Sequence, residues 1–224
     1  MKREVITTAD GSTSIHIPEW DEQYHSKHGA IQEAQHVFIK MGLQHVIKLH
    51  SPQEIAIMEI GFGTGLNAFL TLLETIKENK VVQYTGIEGY PVAMDIVRKM
   101  NYVKVLEAKN QHNNFLKLHQ TPWEEFSNIT TTFEICKRKQ FFDQITDKDS
   151  YDLIYFDAFG ARVQPELWEA VIFQRMYAAL KPHGVLVTYA AKGSARRAMQ
   201  EVGFTTERLP GPPGKREMLR ATKS

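Results

Sequence analysis

Gly61, Gly63 and Gly65 stand at alternate positions in the run Glu59-Ile60-Gly61-Phe62-Gly63-Thr64-Gly65-Leu66-Asn67. Residues without a Cβ let a backbone turn sharply and come close to a ligand, as the loop between a first strand and its helix does around a nucleotide. A dinucleotide loop wants Gly or Ala at its sixth position, where this chain has Leu66. Glu59, two residues before the first glycine, suits a cationic ligand, because it would face an ammonium or organise water around it. The run therefore favours S-adenosylmethionine over NAD. Glu88 follows 23 residues after Gly65, at the end of a second apolar run. A carboxylate there can accept hydrogen bonds from both ribose hydroxyls of an adenosine. The candidate cofactor set is Glu59, Gly61, Phe62, Gly63, Thr64, Gly65, Asn67 and Glu88, with Asp143 in Lys139-Gln140-Phe141-Phe142-Asp143 as the nearest acid for an adenine.

Asp157 closes Tyr151-Asp152-Leu153-Ile154-Tyr155-Phe156-Asp157 and is followed by Ala158-Phe159-Gly160. A carboxylate at a strand end lies where a transferable methyl group would be presented, which makes Asp157 the prime catalytic candidate. The other reading is an aspartate that bonds the nearby backbone of its own loop. Nine histidines, six of them in the first 50 residues, are not joined by cysteines or carboxylates at ligand spacing, so no metal is expected. Ser194 lacks the second glycine of a hydrolase elbow and reads as a helix cap.

The elements that must hold these residues alternate. Asp10-Gly11 between β-prone runs predicts a hairpin, residues 18–29 a loop and residues 30–48 an amphipathic helix. Strands are expected at 55–60, 81–88, near 131–137, at 151–157 and at 184–191, with helices at 66–76, 165–180 and 194–202 and Pro91 in the first turn of another. Residues 204–209 and 217–221 read as two last strands around a Pro-Gly turn. Alternation of this kind gives a mostly parallel sheet with helices on both faces, whose ligands bind beyond the carboxyl ends of the strands. The division expected is a hairpin and helix extension over 1–50 and a nucleotide-binding domain over 51–224, folding as one compact unit.

The chain has 224 residues, 42% apolar and 24% charged, and needs no staple to fold. No run approaches the ~20 apolar residues of a membrane span, and the first ten residues lack the core of a signal peptide, so the cytoplasm is the expected location. The formal charge of +1 is uneven: residues 192–224 carry eight Lys and Arg against three acids. Lys192, Arg196, Arg197, Lys215 and Arg216 are the candidate contacts for a polyanion, with a solvated basic face as the alternative.

Several stretches taken together resemble one family. They are Tyr24-His25-Ser26, Gly29-Ala30-Ile31-Gln32-Glu33, His36-Val37-Phe38, the glycine run, Asp157-Ala158-Phe159, Pro165-Glu166-Leu167-Trp168, Arg196 to Phe204, and Gly214-Lys215-Arg216-Glu217-Met218. The pattern is similar to the tRNA 5-aminomethyl-2-thiouridine methyltransferases, stand-alone counterparts of the methyltransferase half of the bifunctional wobble-uridine enzyme. The resemblance implies a Rossmann-like class I α/β fold with a mostly parallel seven-stranded sheet and a C-terminal antiparallel strand. It implies S-adenosylmethionine as donor, without FAD or metal, and the primary amine of 5-aminomethyl-(2-thio)uridine in tRNA as acceptor. A separate flavin enzyme or the upstream modification complex would act on the same tRNA, since a chain with no second nucleotide loop should not process the carboxymethylated form. Glu33 and Tyr24 join Asp157 as catalytic candidates, and Phe62, Phe159 or Trp168 could stack on a splayed base. The competing expectations are an aminopropyltransferase of the polyamine type, a small-molecule methyltransferase, and a non-catalytic RNA-binding module with a vestigial pocket.

Overall fold

A computed structural model describes residues 2–224. The chain opens with strands β1 (Glu4–Thr7) and β2 (Thr13–Ile17), paired antiparallel around Asp10-Gly11 as the turn chemistry requires, and a two-residue strand β3 (Glu22–Gln23) extends the hairpin to three strands. Asp10 also ties the hairpin to the first helix. Its Oδ1 accepts from the Thr8 hydroxyl and the Ser12 N–H, while Oδ2 accepts from the Gln32 N–H, satisfying an orphan donor of the first helical turn.

Helical backbone then runs from Ala30 to His50 in three pieces, α1 (Ala30–Ala34), a π-helical stretch (Gln35–Leu43) and α2 (Gln44–His50). The amphipathic helix is there, but its middle is widened, and three successive side chains, Val37, Phe38 and Ile39, are all buried. Gly42 brings this stretch onto the sheet, for a Cβ on it would stand 2.9 Å from Val187.

The main sheet contains β4 (Glu54–Ile60), β5 (Val81–Ile87), β6 (Phe126–Asn128), β7 (Phe133–Arg138), β8 (Tyr151–Phe156), β9 (Leu180–Thr188), β10 (Phe204–Pro210) and β11 (Glu217–Lys223). Among the described residues its order is β10-β11-β9-β8-β4-β5-β7-β6. Strands β9, β8, β4, β5 and β7 are parallel, β11 is antiparallel to both of its neighbours, and β6 is antiparallel to β7. Eight strands thus replace the seven expected. The extra one, β6, has three residues with Phe126 exposed, too short and too polar for any alternation to show.

The parallel strands are apolar on both faces. Ile55 and Ile57 of β4, with Leu153 and Tyr155 of β8, enter one core beneath the π-helical stretch and α3 (Leu66–Glu78). Met58, Ile60, Ile154 and Phe156 enter the other, where α7 (Ala170–Ala179) and α8 (Gly193–Glu201) pack. Between β5 and β6 lie three short helices, α4 (Met94–Val97), α5 (Tyr102–Val105) and α6 (His112–Gln120).

Three local expectations are corrected. Pro91 lies outside the helix that comes after it: α4 begins only at Met94, after the extended Ala93, and the carbonyls of Tyr90 and Pro91 accept from the Arg3 guanidinium. The helix expected over 165–180 is a 3-10 turn, Pro165–Trp168, followed by α7, broken where Glu169 is extended. Ser194 is not a cap: Lys192 occupies that position, and no side chain caps α8.

Candidate active site

Chain order reverses at β4, which has β5 on one side and β8 on the other, with Glu59 opposite Tyr155 and Ile60 opposite Phe156. A switch point of this kind opens a crevice at the strand ends. A cleft of about 790 Å³ is found there, lined by the glycine loop, Glu88, the Phe141–Gln144 segment, Asp157, Phe159 and residues 20 and 22–25 of the N-terminal element.

The glycine loop leaves β4 with φ of +89°, +50° and +69° at Gly61, Gly63 and Gly65. At Gly61 a Cβ would lie 2.7 Å from the Asp157 carbonyl oxygen, so only glycine lets the ends of β4 and β8 approach. The loop is held from both sides. Glu88 accepts from the Gly63 N–H at 2.9 Å and from the Tyr90 N–H at 2.8 Å. Beneath it, Tyr102 donates to the Thr64 hydroxyl, and His119 Nε2 lies 3.1 Å from the Thr64 carbonyl oxygen. A carbonyl only accepts, so that nitrogen carries the proton, and burial holds the His119 pKa down at about 4, keeping the ring neutral.

Glu59 is fully buried. Its oxygens accept from Asn67 Nδ2 and the Tyr84 hydroxyl, both at 2.8 Å, and burial raises its pKa well above the usual carboxylate range. Its protein partners therefore differ from the ligand ammonium expected of it. Asn67 makes the link that the sequence did not signal: the same Nδ2 donates to Asp157 Oδ2 at 2.9 Å, tying the two carboxylates together, while its own Oδ1 is buried without a partner.

Asp157 is half-buried at the cleft wall, and its pKa is raised to about 7, by burial first and by the charge of Glu33 second. Asn67 and the Lys215 charge oppose that shift. Glu33, a catalytic candidate, is buried beside the cleft with one oxygen on the Ser26 N–H and the other on Lys215 Nζ. Lys215, expected on a phosphate, lines the cleft with its ammonium 3.9 Å from the centre of the Tyr189 ring. Tyr189 in turn donates to the Ala158 carbonyl at 2.8 Å. Tyr24 lines the cleft against Gly63, its hydroxyl pushed by burial to a pKa of about 12, so it can donate but does not ionise near neutrality.

Of the aromatics offered for base stacking, Phe62 and Trp168 are 3% and 5% exposed, packed on His119 and on Phe173. They hold the fold rather than a base. Phe159 faces the cleft with Trp20 and Tyr24 edge-on to it at 5.6 and 5.1 Å. Trp20 is a surface that sequence reading missed, lying in a segment with no periodicity. Arg162 fixes it there through bonds to the Trp20 and Asp21 carbonyls and to Glu22. Asp143 lines the cleft from the 3-10 turn Phe142–Gln144. Lys192 reaches the cleft rim, Arg196 is half-buried on α8, and Arg197 and Arg216 are exposed. Among the described residues no cluster of three metal-ligating side chains occurs.

A family profile described as S-adenosyl-L-methionine-dependent methyltransferase matches residues 105–224. The tRNA 5-methylaminomethyl-2-thiouridine biosynthesis bifunctional protein MnmC of Burkholderia thailandensis is 26% identical over 215 residues, covering 90% of this chain and 32% of that protein. The chain thus spans about a third of the length of the curated relatives it matches. Among solved structures, MNMC2 from Aquifex aeolicus superposes with a TM-score of 0.77 at 21% identity, covering 100% of this chain and 71% of that one. Spermidine synthase from Thermotoga maritima superposes with a TM-score of 0.60 at 15% identity, covering 100% and 72%. Both likenesses show the fold.

Proposed function

This chain belongs to the family of S-adenosyl-L-methionine-dependent methyltransferases, and on that premise we propose that it methylates the exocyclic primary amine of 5-aminomethyl-(2-thio)uridine at the wobble position of tRNA. The observation that carries the reading is Asp157, anchored through one oxygen by Asn67 and set against Gly61, on the wall of the cleft that the glycine loop opens. The curated relatives, which match most of this chain, are named for 5-methylaminomethyl-2-thiouridine biosynthesis, and that supports the choice of acceptor.

The residues present fit the donor. The loop of Gly61, Gly63 and Gly65 leaves room for close backbone approach, Glu88 stands at the end of β5 to take ribose hydroxyls, and the unpartnered Asn67 Oδ1 is an acceptor for a ligand ammonium. Glu59 acts behind Asn67 and sets its amide, and Asp143 with Phe141 offers the adenine side. When bound, S-adenosyl-L-methionine supplies a methyl group already activated by its sulfonium. The protein must then align a neutral amine about 3 Å from that carbon. An alkylamine of lysine type has a pKa of about 10.4, so loss of its proton has to be favoured. Asp157 accepts a hydrogen bond from the amine N–H and aims its lone pair. With a pKa of about 7 it also takes up the proton the product sheds. Phe159 and Trp20 form the stacking edge for the base, and Arg197, Arg216, Arg196 and Lys192 are the phosphate contacts.

No helix among the described residues is long and apolar enough to cross a membrane. Under the same reading, a separate flavin enzyme or the upstream modification complex prepares the aminomethyl substrate. The test is incubation with methyl-labelled S-adenosyl-L-methionine and tRNA carrying aminomethyluridine, with nucleoside analysis of the product. Label in 5-methylaminomethyl-(2-thio)uridine is the expected result. Label absent from that nucleoside, with the donor still bound, overturns the reading.

A further inference from the structure

Strand β8 ends at Phe156, so the Asp157 carboxylate and the Phe159 ring sit on the loop that follows it, where the sheet no longer holds the chain. The sheet fixes only the first step. The Asp157 N–H donates to the Ile60 carbonyl at 3.0 Å, and among the described residues the carbonyls of Ala158 and Phe159 accept from side chains alone. The Tyr189 hydroxyl takes the first and the Trp168 indole N–H the second, each at 2.8 Å. Tyr189 follows β9 as Asp157 follows β8, two residues past the paired Tyr155 and Val187, so the parallel register brings it beside the loop. Trp168 ends the 3-10 turn Pro165–Trp168 and meets the Tyr189 ring edge-on, with centroids 6.1 Å apart. On the Tyr189 ring lies the Lys215 ammonium, 3.9 Å from its centre, with its charge balanced by Glu33. Burial, and then the charge of Asp157, hold the Tyr189 hydroxyl well above its ordinary pKa, so it stays protonated and donates. A carbonyl held by a fixed donor fixes its whole peptide plane. Asp157 is thereby bracketed between the plane bonded to Ile60 and the plane bonded to Tyr189.

We propose that Tyr189 and Trp168 are positioning residues that clamp this loop, Tyr189 setting the Asp157 carboxylate toward the acceptor amine and Trp168 setting the Phe159 ring toward the base, an assignment that rests on the methyltransferase reading above and deepens it. Both act through backbone carbonyls and leave the chemistry to Asp157. The donor side of the cleft has its own supports, since Glu88, Tyr102 and His119 hold the glycine loop. Loss of either clamp bond therefore touches the acceptor half alone. Methyl transfer needs the amine aligned to within a fraction of an ångström, so a small drift of the carboxylate costs turnover, whereas a drift of the ring costs affinity for the base.

The test removes each donor and keeps a ring in its place. Tyr189→Phe and Trp168→Phe are compared with the wild type for kcat and KM on tRNA carrying aminomethyluridine, for S-adenosylhomocysteine affinity, and for hydrogen exchange across residues 157–164 followed by mass spectrometry. Tyr189→Phe should lower kcat by about 10- to 100-fold and leave KM for tRNA within about twofold. Trp168→Phe should raise that KM roughly fivefold or more and leave kcat within about tenfold. Exchange across 157–164 should quicken about fivefold in both, the effect of one lost hydrogen bond, with S-adenosylhomocysteine affinity unchanged. Should Trp168→Phe not fold, Tyr189→Phe decides alone. A wild-type kcat in Tyr189→Phe, a wild-type KM in Trp168→Phe, or turnover lost only in step with S-adenosylhomocysteine affinity overturns the inference. A wild type that methylates no such tRNA sinks the proposed substrate, and loop exchange then decides: unchanged protection overturns the clamp, and faster exchange with donor affinity intact upholds it.

Discussion

At the scale of single residues, the cleft wall depends on two positions where the side chain, or its absence, sets the chemistry. Asp157 has its pKa raised from 3.8 to about 7, so the folded state binds a proton there that the unfolded chain has lost between those values. Stability contributed by the protonated form is complete below about 4 and is lost as pH rises through 7. Three units correspond to about 4 kcal/mol, which partial solvent access reduces to roughly 2. Asp157→Asn should therefore unfold at a higher temperature than the wild type at pH 8, with the advantage vanishing near pH 4, as calorimetry at the two pH values would show. The same variant should lose methylation by roughly 100-fold or more while keeping its affinity for S-adenosylhomocysteine. In the wild type the rate should fall as pH drops below 7, because the protonated Asp157 no longer accepts the amine bond. Turnover equal to wild type in Asp157→Asn removes the carboxylate from the mechanism. Gly61 is the second position. Gly61→Ala adds a Cβ 2.7 Å from the Asp157 carbonyl at a φ of +89°. That clash and strain should weaken S-adenosylhomocysteine binding at least ~10-fold in a fluorescence titration.

At the scale of elements, the features legible in the sequence are those that repeat. Strands β4, β5 and β8 each announce themselves by an apolar run ended by Gly or a charged residue, which gives the positions of Gly61, Glu88 and Asp157 directly, and the last antiparallel pair shows through the Pro-Gly turn between its strands. Bonds between distant segments have no such period. Asn67 joining Glu59 to Asp157, and Lys215 joining the C-terminal turn to Glu33 182 residues earlier, are contacts that only the folded chain creates. Phe62 and Trp168 mislead for the converse reason, since an aromatic in a loop or turn beyond a strand can turn inward as readily as out. The π-helical stretch is also hidden, because its apolar residues fit a helical period well enough. Its consequence is the close seat of Gly42 on Val187 and Tyr155. Gly42→Val should drive branched carbons into both side chains and cost about 2 kcal/mol in urea unfolding. An unaltered unfolding midpoint would mean that this stretch yields without loss and does not pin the sheet.

At the scale of the molecule, the charge asymmetry becomes a surface with a direction. The basic excess of residues 192–224 lies on α8 and on the β10–β11 turn, and both border the cleft through Lys192 and Lys215. Lys215 faces inward to Glu33, so the outward cations of α8 and the β10–β11 turn are Lys192, Arg197 and Arg216, with Arg196 partly covered. A polyanion lying across this rim would bring one of its bases over the stacking edge of Trp20 and Phe159, while its phosphates meet the arginines. Each phosphate contact releases condensed counterions, and the logarithm of the binding constant falls against the logarithm of salt by about 0.7 to 0.9 per contact. For tRNA, affinity measured between about 50 and 200 mM salt should fall steeply in the wild type, and Arg197→Ala/Arg216→Ala should flatten that slope by roughly 1.5 to 2. S-adenosylhomocysteine binding should not change, because neither arginine lines the cleft. A slope unaffected by removing both side chains would move the RNA track off this rim, toward the Trp20 side of the opening, where Arg162 is the nearest cation and its replacement would then have to carry the loss.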